Sequence, residues 1–194
     1  MAKRIVIIQG HPDPRAVHFG HALAEWYAKG AEEAGHFVRH ISVAALDFPF
    51  LRSKEEWDKQ PCPASLQAAQ LDIQWADHMV ILFPLWLGSM PALLKAFMEQ
   101  VFRPEFAIRP GPSGKLWEKL LKGKSARIVV TMGMPALVYR WFYRAHSLKS
   151  LERNILAFSG VAPVRASMIG MIEGGASKRE KWLTKMRCLG RAAV

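Results

Sequence analysis

The chain lacks several things that would have pointed elsewhere. Only two of its 194 residues are cysteine, Cys62 and Cys188, far apart and near no histidine cluster. Neither C-x-x-C nor H-E-x-x-H occurs. A zinc site and a disulfide framework are both without support, no metal ligand is assigned, and reduced cytoplasmic thiols are the plain reading. No apolar run approaches the ~20 residues that a helical membrane span needs, so no integral membrane segment is expected. The opening MAKRIVIIQGHPDP has basic residues before an apolar run. That run is only about five residues long and meets Gly-His-Pro instead of a small-residue cleavage site, so it reads as a strand and not as a signal peptide.

Phosphate-binding fingerprints are missing too. No G-x-G-x-x-G follows the first strand, and Gly123-Lys124-Ser125 has the ending of a phosphate loop but Glu118 where its first glycine belongs. Acidic residues are scarce in one half. Residues 101–194 hold 18 Lys/Arg against 5 Asp/Glu, whereas residues 1–100 hold 9 against 11. A basic half attracts anions such as nucleic acid, an anionic membrane or a phosphorylated cofactor, or it is simply a solvated surface. Nucleic-acid binding rests on charge alone, with no motif behind it, and no nucleic-acid partner is expected.

What is present is a globular chain. Half of the residues are hydrophobic, which excludes disorder, and the length suits one domain spanning residues 1–194. Lys3 to Gln9 reads as a buried strand, with β-branched residues on consecutive positions as in parallel sheets. Gly10-His11-Pro12-Asp13-Pro14 breaks it. A helix is expected from about His18 to Ala34, ended by Gly35, and a strand from Phe37 to Val43. Residues 45–64 show no clear period and read as a functional loop. Ser65 is expected to cap a helix running to Trp75. Met79-Val80-Ile81-Leu82-Phe83 is the next strand. Pro84 stops it, a turn with Trp86, Gly88 and Ser89 follows, and Pro91 opens a helix with Leu93, Leu94, Phe97, Met98 and Val101 at helical spacing. Residues 103–123 form a second excursion, with a short helix expected at Leu116–Leu121. Ala126 to Thr131 is strand four. Helices are expected over Leu137–Ala145 and Leu148–Phe158, strand five over Val164–Met168, and a basic terminal helix from Lys178 to about Arg191.

Alternating strands and helices predict an α/β fold, doubly wound, with a five-stranded parallel sheet in the order 2-1-3-4-5 and helices on both faces. Ligands in such sheets bind beyond the carboxyl ends of the strands, at the switch point. That brings together the His11 loop, the Pro84–Ser89 loop and the Thr131–Pro135 loop. A helix start with His11, Arg15 and His18 nearby suits a phosphate, or is a plain surface turn.

The same residues carry a resemblance. Phe83-Pro84-Leu85-Trp86, Ser89-Met90-Pro91-Ala92, Leu94-Lys95 and Val101-Phe102 resemble the flavodoxin-like NAD(P)H:quinone oxidoreductases. Gln9-Gly10-His11-Pro12 resembles that family's strand-one signature, and Thr131, Gly133, Pro135 and Tyr139 resemble its third loop. The likeness runs in order along nearly the whole chain. It implies that His11, His18 and Phe19 hold the flavin phosphate region, and that Pro84, Leu85, Trp86 and Leu87 line the isoalloxazine ring. It further implies that Thr131, Gly133 and Met134 approach the ring's polar edge, and that Tyr139 and His146 handle protons. The implied activity is ping-pong hydride transfer from NADH or NADPH, through FMN or FAD, to a quinone or similar small acceptor. The implied assembly is a homodimer in the cytoplasm. A flavin-binding ancillary subunit of a membrane transport system is the alternative. A flavodoxin-type carrier is disfavoured, because such carriers are typically acidic and this chain has a formal charge of +11.

Overall fold

The computed structural model describes residues 1–15, 18–111 and 117–194. Five parallel strands form the main sheet: β1 (Arg4–Gln9), β2 (Phe37–Ser42), β3 (His78–Pro84), β6 (Ser125–Thr131) and β7 (Val164–Ile169), in the order β2-β1-β3-β6-β7. Counted within that sheet, this is the expected order 2-1-3-4-5. A two-stranded antiparallel hairpin, β4 (Ile108–Arg109) with β5 (Glu118–Lys119), stands apart from it.

Strand alternation sends successive side chains to opposite faces, and both faces are buried. Val6, Ile8, Met79, Ile81, Ile128 and Val130 enter one core, while Ile5, Ile7, Val80, Leu82 and Val129 enter the other. The first core is closed by α3 (Ala64–Trp75), α4 (Ala92–Val101) and the segment after β6; the second by α1 (Phe19–Glu33) and α7 (Ala176–Ala192). Helices α1 and α7 meet backbone to backbone. A Cβ added to Gly30 would lie 2.0 Å from the Arg187 carbonyl oxygen, and one added to Gly190 would lie 2.0 Å from that of Tyr27. Among the described residues, no helix is long and apolar enough to cross a membrane.

Several boundaries differ from the sequence expectations, each for a local reason. Pro63, not Ser65, is the N-cap of α3, and Pro91 and Pro135 hold the same position before α4 and α5 (Ala136–Trp141). Proline has no N–H to leave unsatisfied at a helix start. The 45–64 loop contains a helix, α2 (Lys54–Lys59). The Ser53 side chain accepts from the Glu56 N–H, and the Glu56 carboxylate accepts from the Arg52 N–H, a capping-box arrangement. The helix expected at Leu116–Leu121 is not there: Glu118–Lys119 is the strand β5, held antiparallel to β4, and Leu116 lies outside the described residues. The helix expected to run from Leu137 to Ala145 stops at Trp141. Arg144 and Ala145 take positive φ of 52° and 47°, which break the coil before α6 (His146–Ser150). A π-helical stretch, Leu151–Ala157, then continues α6.

Candidate active site

The crevice begins where β1 ends. Gly10 donates its N–H to the Leu82 carbonyl at 2.7 Å and turns the chain away from the sheet, placing His11 at the lip. His11 is buried, with its Nδ1 accepting the Asp13 N–H at 3.1 Å and its own N–H on Gln9 Oε1. Its ring stacks on that of His18, centroids 3.9 Å apart, and His21 stands 5.5 Å from it. His18 is the N-cap residue of α1, yet its side chain makes no capping hydrogen bond. The first-turn N–H groups and their partial positive charge therefore face a three-imidazole cluster, an arrangement suited to a phosphate. Asp13 braces the cluster: its carboxylate binds His18 Nε2 at 2.8 Å and Arg15, and these two partners hold it well below the usual carboxylate range. Desolvation and the neighbouring imidazoles lower the pKa of His11, and desolvation and His18 lower that of His21. Phe19 packs partly against the core below.

The second loop leaves β3 at Pro84. Leu85 donates its N–H to the Thr131 carbonyl at 2.8 Å, which ties this loop to the end of β6. Trp86 and Ser89 exchange two 2.9 Å backbone hydrogen bonds across Leu87 and Gly88, whose φ values are 47° and 78°. This is a two-residue hairpin with both central residues left-handed. Its tip thrusts Leu87 fully into solvent and leaves Trp86 49% exposed. The Trp86 ring meets His11 edge-on at 5.8 Å, so the phosphate-type corner and the aromatic wall belong to one crevice.

The third loop follows Thr131, which is buried. Nothing would crowd a Cβ on Gly133, and Met134 packs partly on the core. The N–H groups of Leu87, Gly88, Gly133 and Met134 have no partner among the described residues, whereas those of Leu85 and Trp86 are already committed. Three of these four residues, Leu87, Gly133 and Met134, are ones that the resemblance places at the ring.

The structure separates the remaining pair. Tyr139 is 1% exposed, and its hydroxyl accepts the Leu148 N–H at 3.2 Å. Burial pushes its phenol pKa up. Ser147 Oγ lies 3.2 Å from Ser89 Oγ, which ties α6 to the hairpin. His146 is exposed and donates from Nδ1 to the Tyr143 carbonyl at 2.6 Å, leaving Nε2 free among the described residues. Asp13, His21 and Ser147 are site neighbours to which sequence reasoning gave no role. Only His21, three residues after His18 on one helix face, had a usable signal. No three His, Cys, Asp or Glu side chains among the described residues are placed to share a metal ion.

A family model described as a flavodoxin-like fold matches residues 3–187. The chain belongs to the flavodoxin-like fold family. It is 30% identical over 158 residues to a ribosyldihydronicotinamide dehydrogenase-like protein of Penicillium crustosum, a match covering 67% of this chain but only 57% of that protein. It is 26% identical over 197 residues to an uncharacterized NAD(P)H oxidoreductase of Haemophilus influenzae, covering 93% of this chain and 96% of that one. Among solved structures, the NAD(P)H:quinone oxidoreductase from Methanothermobacter marburgensis superposes with a TM-score of 0.83 at 23% identity, covering 98% of each chain. That likeness shows the shared fold.

Proposed function

We propose that this protein is a flavin-dependent oxidoreductase of the cytoplasm that passes hydride from NADH or NADPH, through bound FMN or FAD, to a quinone or similar small acceptor. The observation that carries the reading is the joining of His11, His18 and Trp86 in one crevice at the carboxyl end of the sheet. One corner of that crevice has the donors for a phosphate, and the other has an exposed indole and an exposed Leu for a flat ring. The donor set fits: a helix start whose N-cap side chain makes no capping bond, three imidazoles, and four unengaged loop N–H groups. The names of the Penicillium and Haemophilus relatives are of the same chemical class.

The flavin, when bound, supplies the two-electron redox chemistry. The chain does the rest. The α1 N-terminus with His11 and His18 holds the phosphate. Trp86 and Leu87 cover the ring and exclude water. The Gly133 and Met134 N–H groups offer hydrogen bonds to its polar edge. His146, with Nδ1 fixed on a carbonyl, presents Nε2 as a proton donor or acceptor, and Tyr139 is the second proton-handling residue of this reading. Donor and acceptor use the crevice in turn, giving ping-pong kinetics.

A second copy of the chain completes the assembly in this reading. A groove of about 300 Å³, lined by Trp57, Met98, Phe102, Ile108 and Phe158 and by none of the crevice residues, opens between α2, α4 and the π-helical stretch. It is apolar enough to belong to a homodimer interface.

The test is titration of apoprotein with FMN and with FAD. One of them should bind, should turn over with NADH or NADPH, and should bind about 10- to 100-fold more weakly to Trp86→Ala, the range expected for losing one stacked aromatic ring. Folded wild-type protein that binds neither flavin would overturn the proposal.

A further inference from the structure

The segment just beyond the crevice carries a surface that hydride transfer does not use. Of the six residues of α5 only Tyr139 is buried. Leu137, Val138, Trp141, Phe142 and Tyr143, five large side chains within seven consecutive residues, are between 40% and 77% exposed. A helix in a globular protein normally turns such residues inward, and a contiguous patch left outside marks an interaction surface.

The surroundings say what kind. Two grooves border this segment along the edge strand β7. One, of about 630 Å³, is lined by Arg140, Trp141, Arg144 and Lys149; the other, of about 440 Å³, by Leu137, Arg140, Trp182 and Lys185. Arg140, Ala166 and Met168 line both, so the grooves form one continuous face. Glu152 is the one carboxylate bordering either. Arg140, Arg144, Lys149 and Lys185 form no ion pair among the described residues. The Arg140 guanidinium sits 5.7 Å from the Trp141 ring, and the Lys185 ammonium 4.6 Å from that of Trp182.

We propose that this face docks the protein on the surface of an anionic lipid membrane. Trp141 and Phe142 enter the headgroup layer, where indole and phenyl rings are favoured, and the four unpaired cations meet lipid phosphates. A second copy of the chain fits this face poorly, because a two-fold contact would set the same cations against themselves. Single-stranded nucleic acid would use the cations and the rings but not the exposed Leu137 and Val138, which have no base to stack on.

Co-sedimentation with extruded vesicles tests this without flavin or turnover, so its outcome is separate from that of the redox proposal. The full chain should pellet with phosphatidylcholine vesicles containing about one quarter phosphatidylglycerol at about 0.1 M salt, and stay in solution with pure phosphatidylcholine. Trp141→Ser with Phe142→Ser should weaken vesicle binding on the order of tenfold while leaving the melting temperature unchanged, since both rings are exposed. Arg140→Glu with Arg144→Glu should abolish it and remove the charge term independently of the apolar one. Wild-type protein that stays in solution with the anionic vesicles would overturn the proposal. So would binding that ignores both double variants, or a single-stranded oligonucleotide captured where the vesicles are not.

Discussion

The imidazoles of His11 and His18 lie face to face, ring centroids 3.9 Å apart and planes 16° from parallel. Burial first, and the neighbouring imidazoles second, hold His11 and His21 below their ordinary pKa. Asp13 and Glu25 oppose that lowering, and Arg15 is held by Asp13. A phosphate dianion at the start of α1 would pull these pKa values up, so binding would take up protons. We expect the affinity for FMN to rise as pH falls from about 8 to 6, by up to about tenfold per pH unit for each coupled proton. Riboflavin, which lacks the phosphate, should show no such slope, and His21→Asn should flatten it. Fluorescence titrations at the two pH values check this.

Leu87 sits at the hairpin tip with φ 47°, a conformation that costs a non-glycine side chain roughly 1 kcal/mol. Since its side chain is fully exposed, folding returns nothing for that strain. Leu87→Asn should therefore raise stability by about 0.5–1 kcal/mol, because Asn tolerates the left-handed region. In the flavin-binding reading it should also weaken the flavin complex. Urea unfolding and flavin titration of the same variant separate the two effects.

Tyr139 and His146 should part company when mutated. Tyr139→Phe leaves the buried Leu148 N–H without its acceptor, a loss of about 1–3 kcal/mol and a lower melting temperature. His146→Ala removes an exposed ring and should leave the melting temperature nearly unchanged. If His146 handles the proton, flavin reduction by NADPH should slow by about 10²–10⁴-fold in that variant, with flavin still bound. Stopped-flow reduction at the wild-type rate would remove His146 from the mechanism.

His78 gives the fold a weakness toward acid. It is 1% exposed, with Nδ1 2.8 Å from Ser125 Oγ and Nε2 unpaired among the described residues. Burial, aided by Lys3, Arg127 and Arg165, lowers its pKa from 6.5 to about 3. The unfolded chain takes up the proton near pH 6.5 and the folded one does not, so the stabilisation is full above 6.5 and lost as pH falls toward 3. The slope is about 1.4 kcal/mol per pH unit, or roughly 2 kcal/mol between pH 6.5 and 5. His78→Gln should reduce that loss in urea unfolding at pH 7 and 5, a window above the range in which the paired carboxylates titrate.

The sheet was legible because its strands announce themselves. Ile5–Ile8 and Met79–Phe83 are uninterrupted apolar runs, and every residue in them is buried. The crevice was legible because Pro84 and Pro91 bracket a turn between strand and helix. The break after Trp141 was not, since Arg144 and Ala145 adopt left-handed φ with no glycine or proline to signal it. Nor was the hairpin at Glu118–Lys119, because two residues carry no period. The hydroxyl contact of Ser147 with Ser89 joins segments distant in sequence, and only the packing of α6 against the hairpin reveals it. The helix expected over Leu137–Ala145 carried no sign of which residues it would bury; in α5 tertiary structure buries Tyr139 alone and leaves Leu137, Val138 and Trp141 outside.

The backbone contact of Gly30 and Gly190 has a consequence for how the protein is made. Helix α1 leaves the ribosome early, carrying Leu23 and Tyr27 for a core that Met186 and α7 must close. Tyr27 and Arg127 also wait for the carbonyl of Val194 as their acceptor. Until α7 is synthesised, α1 covers that face of the nascent sheet alone, and the part of the second core that Met186 fills stays open. The partly made chain therefore keeps apolar surface exposed until that helix arrives.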